Sequence, residues 1–164
     1  MHGLIVRAVH DLERMRAGMC LRRRRRPDKC LARTFLGNAL TFHRVSPNTH
    51  GRPGGSKAYS LAIAIELALK AYLLHCGLTD KWNRNHLRHD LNRALRCARM
   101  LGLEGIPEHL PELAAALSPH YASGALSRDL IEPALPVARD IAHQTVSELL
   151  VAVEAAIGFG SERS

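Results

Sequence analysis

The stretch that decides the fold reads LAIAIELALKAYLLHCGL from Leu61 to Leu78, and HDLNRALRCARMLGL from His89 to Leu103. In the first part, large apolar residues recur at helical spacing and alanines fill most of the other positions, which predicts a helix that is apolar on nearly every face. Small side chains let neighbouring helices approach closely, so we expect this helix to lie at the centre of the protein. Gly77 is suited to end it.

Helical patterns continue on both sides of this stretch. Asp28 is suited to cap a first helix, and residues 78–88 are expected to form a loop or a short turn of helix. A short helix should close at Ser118 and Pro119, and the last helix should begin near Pro133–Pro136. The helices are expected to span residues 28–43, 56–76, 90–101 and 108–117, and the last helix should extend as far as Phe159. The sequence therefore predicts an all-α protein, a four- to five-helix up-and-down bundle.

The composition supports one domain with an aliphatic core. The chain has 164 residues, of which 46% are hydrophobic but only seven are Phe, Trp or Tyr. This length suits a single domain, and the abundance of Leu and Ala favours helices over strands. We expect residues 28–160 to form the bundle and residues 1–27 to form a basic tail that is disordered or weakly helical.

The net charge of +8 is distributed unevenly along the chain. Five consecutive arginines, Arg22–Arg26, dominate the predicted tail, and a like-charge block of this kind rarely packs. Residues 81–100 carry six basic side chains and one acidic one, whereas residues 101–164 carry nine acidic and three basic ones. The basic segment indicates a surface for an acidic partner such as a nucleic acid.

Cysteine and histidine spacing gives no sign of a disulfide framework or a metal site. The four cysteines form no CxxC pair, which is typical of a reducing, cytoplasmic setting. His86 and His89 stand three residues apart without an evident third ligand, so no metal or other cofactor is predicted. No apolar run has the length expected of a membrane span, and no membrane association is expected.

The central stretch resembles the HEPN superfamily of helical bundles. The resemblance rests on the run Glu66–Lys70 (ELALK), on Gly77, on His89-Asp90-Leu91 (HDL) at the start of the next helix, and on LARTFLGNALTF at residues 31–42. It covers residues 31–103 and implies a HEPN-like bundle. Many HEPN proteins are metal-independent endoribonucleases of toxin–antitoxin and defence systems that act as homodimers, whereas others bind nucleotides or partner proteins without catalysis.

Nuclease members carry an Arg, often followed by a polar residue, and a His four to six residues further on. Here Arg84, Asn85 and His89 fit that form. The resemblance implies that His89 transfers protons while Arg84 holds the phosphate, an assignment that suits the chemistry of the two side chains. Three more arginines would contact flanking RNA phosphates and give salt-dependent affinity. These are Arg88, Arg96 and Arg99.

Other interpretations of these residues remain open. His89 can instead be a structural helix cap, tying the loop to the central helix through Glu66, with Asp90 in support at the helix start. The protein would then be a non-catalytic interaction or dimerisation domain. A third hypothesis is a small-molecule pocket around Glu66 and Tyr72. The expected partners are RNA or a nucleotide, a cognate antitoxin or nucleotidyltransferase, and a second copy of the chain.

Overall fold

A computed structural model describes residues 26–45, 57–126 and 133–158, and within these ranges it contains six α-helices and no strand. The prediction of an all-α protein is confirmed for this part of the chain. Residues 1–25 of the expected basic tail lie outside the described residues. The helices are α1 (Lys29–Val45), α2 (Lys57–His75), α3 (Asp80–His86), α4 (Leu91–Met100), α5 (Leu110–Ala122) and α6 (Arg139–Ile157).

Helix α2 is the centre of the protein, as its composition predicts. It packs against each of the other five described helices. Its alanines at 62, 64, 68 and 71 are completely buried, which allows this close approach on several faces. By length and composition it is the one described helix that could cross a membrane, but 72% of its apolar window is buried inside the protein.

Helix α1 begins where Asp28 can cap it. The Leu31 amide donates to Asp28 Oδ1 at 3.0 Å, which satisfies an amide at the start of the helix. Leu36 and Ala39 are completely buried and face α2, whereas Phe42 near the end of the helix is 38% exposed. The cap predicted at Asp28 is therefore confirmed.

Helix α3 is a real helix of seven residues within the segment expected to be a loop or short turn. Thr79 caps it by accepting a hydrogen bond from the Trp82 amide at 3.1 Å. Trp82 is only 5% exposed, and the His86 ring stacks on it with centroids 4.7 Å apart. An indole buried in the core therefore anchors this short helix.

Helix α5 is longer than the sequence pattern predicts. The expectation that it closes at Ser118 and Pro119 is wrong, because the helix continues to Ala122 with Pro119 inside it. Proline costs a helix one hydrogen bond, but Ser118 and Tyr121 on either side are buried and hydrogen-bonded to other helices. The packing of Ser118 and Tyr121 therefore outweighs the tendency of Pro119 to end the helix.

Helix α6 faces the core with a slightly different side from the one expected. The sequence pattern predicts an inward face made of Ala138, Ile141, Thr145, Leu149 and Val153. Ile141 is instead 41% exposed. Ala142 and Val146 are completely buried instead, together with Leu149 and Val153 further along. The inward face is therefore rotated by about one residue in the first turn.

Helices α1 and α6 are joined by a pair of histidines. His43 Nε2 lies 3.1 Å from both the carbonyl oxygen and Nδ1 of His143. A carbonyl oxygen only accepts, so His43 Nε2 carries the hydrogen, and His143 Nδ1 is left as an acceptor. The remaining proton of neutral His143 is then on Nε2, which is buried without a hydrogen-bond partner in the described part of the chain.

Because of the pair His43 and His143, we expect the protein to lose stability when the pH is lowered. Burial, then His43 on α1 and Lys57 on α2, lowers the pKa of His143. The unfolded chain takes up this proton at a higher pH than the folded chain does, so the free energy of unfolding should fall as the pH drops through the ordinary histidine range. Urea unfolding at pH 7.5 and 5.5 measures this loss.

Replacing His143 with glutamine should reduce the loss of stability between the two pH values. The matched change His86→Gln, at an exposed histidine, should leave the loss as it is in the unmodified protein. An equal pH dependence in the His143→Gln protein and the unmodified protein would show that His143 does not contribute.

Candidate functional site

The candidate site is built on a buried carboxylate in the middle of α2. The Glu66 side chain is 7% exposed, and Lys70 Nζ, one helical turn away, donates to its Oε1 at 2.6 Å. Lys70 is itself 11% exposed and also donates to the Arg88 carbonyl oxygen at 3.1 Å. The pair is therefore a buried ion pair within α2, not a surface pair, and Lys70 also ties it to the loop before α4.

His89 reaches this carboxylate from the loop between α3 and α4. Its Nδ1 lies 3.3 Å from Glu66 Oε1 and 3.4 Å from Oε2. An ionised carboxylate only accepts, so Nδ1 carries the hydrogen and the neutral ring keeps its lone pair on Nε2. The His89 side chain is nevertheless 58% exposed. The carboxylate thus orients a ring that remains open to solvent.

Tyr121 on α5 closes the cluster from the other side. Its hydroxyl donates a short hydrogen bond to Glu66 Oε2, and its ring contacts the His89 ring edge-on with centroids 5.0 Å apart. Burial, reinforced by the Glu66 carboxylate, raises the pKa of Tyr121, so its hydroxyl stays a proton donor at neutral pH. We call Glu66, Lys70, His89 and Tyr121 the Glu66 cluster.

Asp90, beside the cluster, is the cap of α4. Its Oδ1 accepts from the Arg93 amide at 2.9 Å and from the Ser118 hydroxyl at 3.4 Å. Ser118 Oγ in turn accepts from the Leu91 amide at 3.1 Å. The helix cap is therefore Asp90 and not His89, and this leaves the His89 ring to contact Glu66.

Arg88 holds a backbone conformation that is rare for its side chain. Its φ is +49°, and its amide donates to the Asn83 carbonyl at 3.3 Å to end α3. Glycine is the usual residue at such a left-handed helix end, because other residues lose energy through their Cβ there. The Arg88 carbonyl accepts a hydrogen bond from Lys70 Nζ, and the arginine side chain is exposed.

Replacing Arg88 separates strain from charge. Arg88→Gly should raise the free energy of unfolding by about 1 kcal/mol because it relieves the left-handed strain. Arg88→Ala keeps the Cβ and should bring no such gain. Both variants lose the same charge, so a difference in stability between them reports the backbone strain. Urea unfolding measures both free energies; equal stability of Arg88→Gly and Arg88→Ala would show that the left-handed φ carries no strain.

The other predicted site residues lie on exposed helix surfaces. Arg84 Nη2 pairs with Asp80 Oδ2 at 3.0 Å, and its side chain is 70% exposed. Asn85 follows it on α3 and is also exposed, as are Arg96 and Arg99 on α4. No hydrogen bond or ion pair joins Arg84 or Asn85 to His89 among the described contacts. The structure thus brings together Glu66 and His89, with Asp90 as their neighbour.

Asn83, next to Arg84, is a further polar residue that the pattern does not single out. It is completely buried, and neither its Oδ1 nor its Nδ2 has a hydrogen-bond partner among the described residues. An amide buried in this way carries a desolvation cost of about 1–3 kcal/mol. Residues 83–88 therefore combine a buried amide without a partner among the described residues with a left-handed backbone at Arg88.

Lys70 and Tyr121 belong to the Glu66 cluster but not to the predicted pattern of Arg84, Asn85 and His89. The ELALK run marks Lys70 as a helical neighbour of Glu66, so its pairing was foreseeable from spacing alone. Tyr121 comes 55 residues after Glu66, beyond a proline that indicates the end of a helix. No local signal in the sequence places it on Glu66.

The described residues contain no group of three or more His, Cys, Asp or Glu side chains arranged to hold a metal ion. Comparison with family models, with curated proteins and with solved structures finds no match to this chain. The functional argument therefore rests on the geometry of the Glu66 cluster and the arginines around it.

Proposed function

We propose that this chain is a HEPN-like helical domain that binds RNA and cleaves it without a metal ion, with His89 as the proton-transfer group. The observation that carries the proposal is the His89 ring, held through Nδ1 by the buried Glu66 carboxylate while the side chain stays 58% exposed. A carboxylate that orients one ring nitrogen leaves the other free to act as a general acid or base. A histidine with a purely structural role has no need of this exposure.

The reaction needs only proton transfer and phosphate binding. The RNA 2′-hydroxyl attacks the adjacent phosphorus, a base removes the hydroxyl proton, and an acid gives a proton to the departing 5′-oxygen. The products are a 2′,3′-cyclic phosphate and a 5′-hydroxyl. His89 Nε2 of one protomer would serve as the base and the partner's His89 as the acid, with the site formed across a homodimer.

The exposed arginines would hold the RNA backbone. Arg84 is 70% exposed in its pair with Asp80, and a surface pair of this kind is worth little, so a phosphate can replace the carboxylate at small cost. Arg88 projects from the residue before His89, and Arg96 and Arg99 extend the positive surface along α4. Their guanidinium groups match phosphate geometry and offset negative charge in the transition state.

The test is cleavage of a single-stranded RNA by the purified full chain in the presence of EDTA. We expect products that end in a 2′,3′-cyclic phosphate, no cleavage of the same sequence made as DNA, and binding that weakens as salt increases. RNA that stays intact under these conditions, or cleavage that requires a divalent ion, would contradict the proposal.

A second candidate is a non-catalytic interaction or dimerisation domain in the cytoplasm, whose partner would be a second copy, an antitoxin or a nucleotidyltransferase. Exposed apolar side chains on α1 and α6 favour it, above all Val151, which is 63% exposed, and also Phe42 and Ile141. This candidate predicts an assembly that Val151→Glu weakens, together with no cleavage of RNA by the unmodified protein.

A further inference from the structure

A cleft separate from the Glu66 cluster lies at the C-terminal end of α2. Its volume is about 810 Å³, within the usual range for small-molecule sites. Tyr72 and His75 from the last turn of α2, with Cys76 just after it, form one side, and alanines of α6, including Ala156, form an apolar wall. Neither Glu66 nor His89 lines it, so the two sites share no residue.

The side chains that line the cleft include one carboxylate, that of Glu104, and one imidazole, that of His75. Glu104 is the only acidic residue among them, and no Lys or Arg is present. Glu104 is exposed, and no ion pair is found for it among the described residues. Glu104 belongs to the acidic part of the chain, residues 101–164, which carries nine acidic and three basic side chains.

Helix ends add to this negative field. Helix α2 ends at His75, α4 ends two residues before Gly102, and α6 ends one residue after Ala156, so residues at or near three helix C-termini line the cleft. Each C-terminus presents carbonyl oxygens equivalent to a partial negative charge. Three ends and one carboxylate together favour a cation over a neutral or negative ligand.

The lining also fixes the shape of the ligand. The Tyr72 hydroxyl already donates to the Leu101 carbonyl at 2.9 Å, and burial raises its pKa, so it contributes a fixed ring surface and not a charge. Gly102 and Gly105 turn the loop with positive φ values and put no side chains over the cleft. The alanines and the tyrosine ring leave room for an apolar body beside the carboxylate.

We propose that this cleft binds a small organic cation, an amine or amidine carried on an apolar ring. Glu104 pairs with the cationic group, the helix ends reinforce that attraction, and the ring lies against Tyr72 and Ala156. This binding function is additional to RNA cleavage and does not depend on it.

The experiment uses three probes of nearly the same shape on the full chain: benzamidine, which is cationic, benzamide, which is neutral, and benzoate, which is anionic. We expect benzamidine to bind about tenfold or more tightly than benzamide, as one favourable charge contact provides, and benzoate to bind least. Ligand-observed NMR titrations give the Kd values. Absence of benzamidine binding, or equal binding of all three probes, would overturn the proposal.

Variants locate the binding in the cleft. Glu104→Gln should abolish the preference for benzamidine over benzamide, whereas Glu112→Gln, at an exposed carboxylate on α5, should preserve it. Ala156→Leu should fill the cleft and weaken both probes, whereas Ala115→Leu, at an exposed alanine of α5, should not. A preference that survives Glu104→Gln would overturn the assignment. His89→Gln should leave benzamidine binding unchanged, so the two proposals fail independently.

Discussion

Replacing His89 with glutamine should lower the rate of RNA cleavage by about 10²–10⁴-fold, the usual contribution of a general acid or base. Glutamine can still donate a hydrogen bond to Glu66 but cannot transfer a proton at neutral pH. The His89 side chain is 58% exposed, so the fold should remain intact. Single-turnover cleavage measures the rate, and thermal unfolding checks the fold.

The matched control for this change is His86→Gln. His86 is a histidine of the same segment, but its ring stacks on Trp82 and its Nδ1 contacts the Trp82 carbonyl. We expect its loss to leave cleavage nearly unchanged. Equal loss of activity in both variants would indicate a general effect on the segment, and full activity of His89→Gln would exclude His89 as the proton-transfer group.

Replacing Glu66 with alanine should destabilise the protein by about 3–5 kcal/mol, the usual cost of breaking a buried ion pair by removing one partner. Lys70, 11% exposed, would keep its charge without a carboxylate, and the Tyr121 hydroxyl would lose its acceptor. For a marginally stable domain this is a large share of the total free energy of unfolding. Urea unfolding measures the change.

Two further variants test the cause of this loss. Glu112→Ala removes a carboxylate that is 65% exposed and should change stability by no more than about 0.5 kcal/mol. The double change Glu66→Leu with Lys70→Leu removes both charges and should be much less destabilising than Glu66→Ala. If the double variant were as unstable as Glu66→Ala, the loss would come from packing and not from the unpaired Lys70.

The fold was predictable where a local sequence preference was not opposed by contacts with other helices. The apolar and alanine-rich pattern of residues 61–76 correctly indicated a central helix, and Asp28 correctly indicated a helix start. Prediction failed at Pro119. The tendency of proline to end a helix indicated an end there, but packing against other helices allows α5 to continue to Ala122. Tertiary contacts of this kind cannot be predicted from a single segment.

The site was predictable only in part, for a similar reason. Glu66 lies in an otherwise apolar helix, a pattern that predicts partial burial with a partner because little exposed surface is left for it, and the structure confirms this. The contact between Glu66 and His89 spans 23 residues and depends on the loop conformation at Arg88. The roles of Arg84, Asn85 and His89 in catalysis stay predictions, since their side chains do not meet within this single chain.

Chemical rescue tests the central claim most directly, because it asks whether a proton-transfer group is what His89 supplies. The His89→Ala protein, incubated with RNA in EDTA, should cleave slowly, and added imidazole should restore a substantial part of the rate because the position is open to solvent. The same imidazole should not accelerate cleavage by the unmodified protein. Failure of imidazole to restore cleavage by a folded His89→Ala protein would contradict the role assigned to His89.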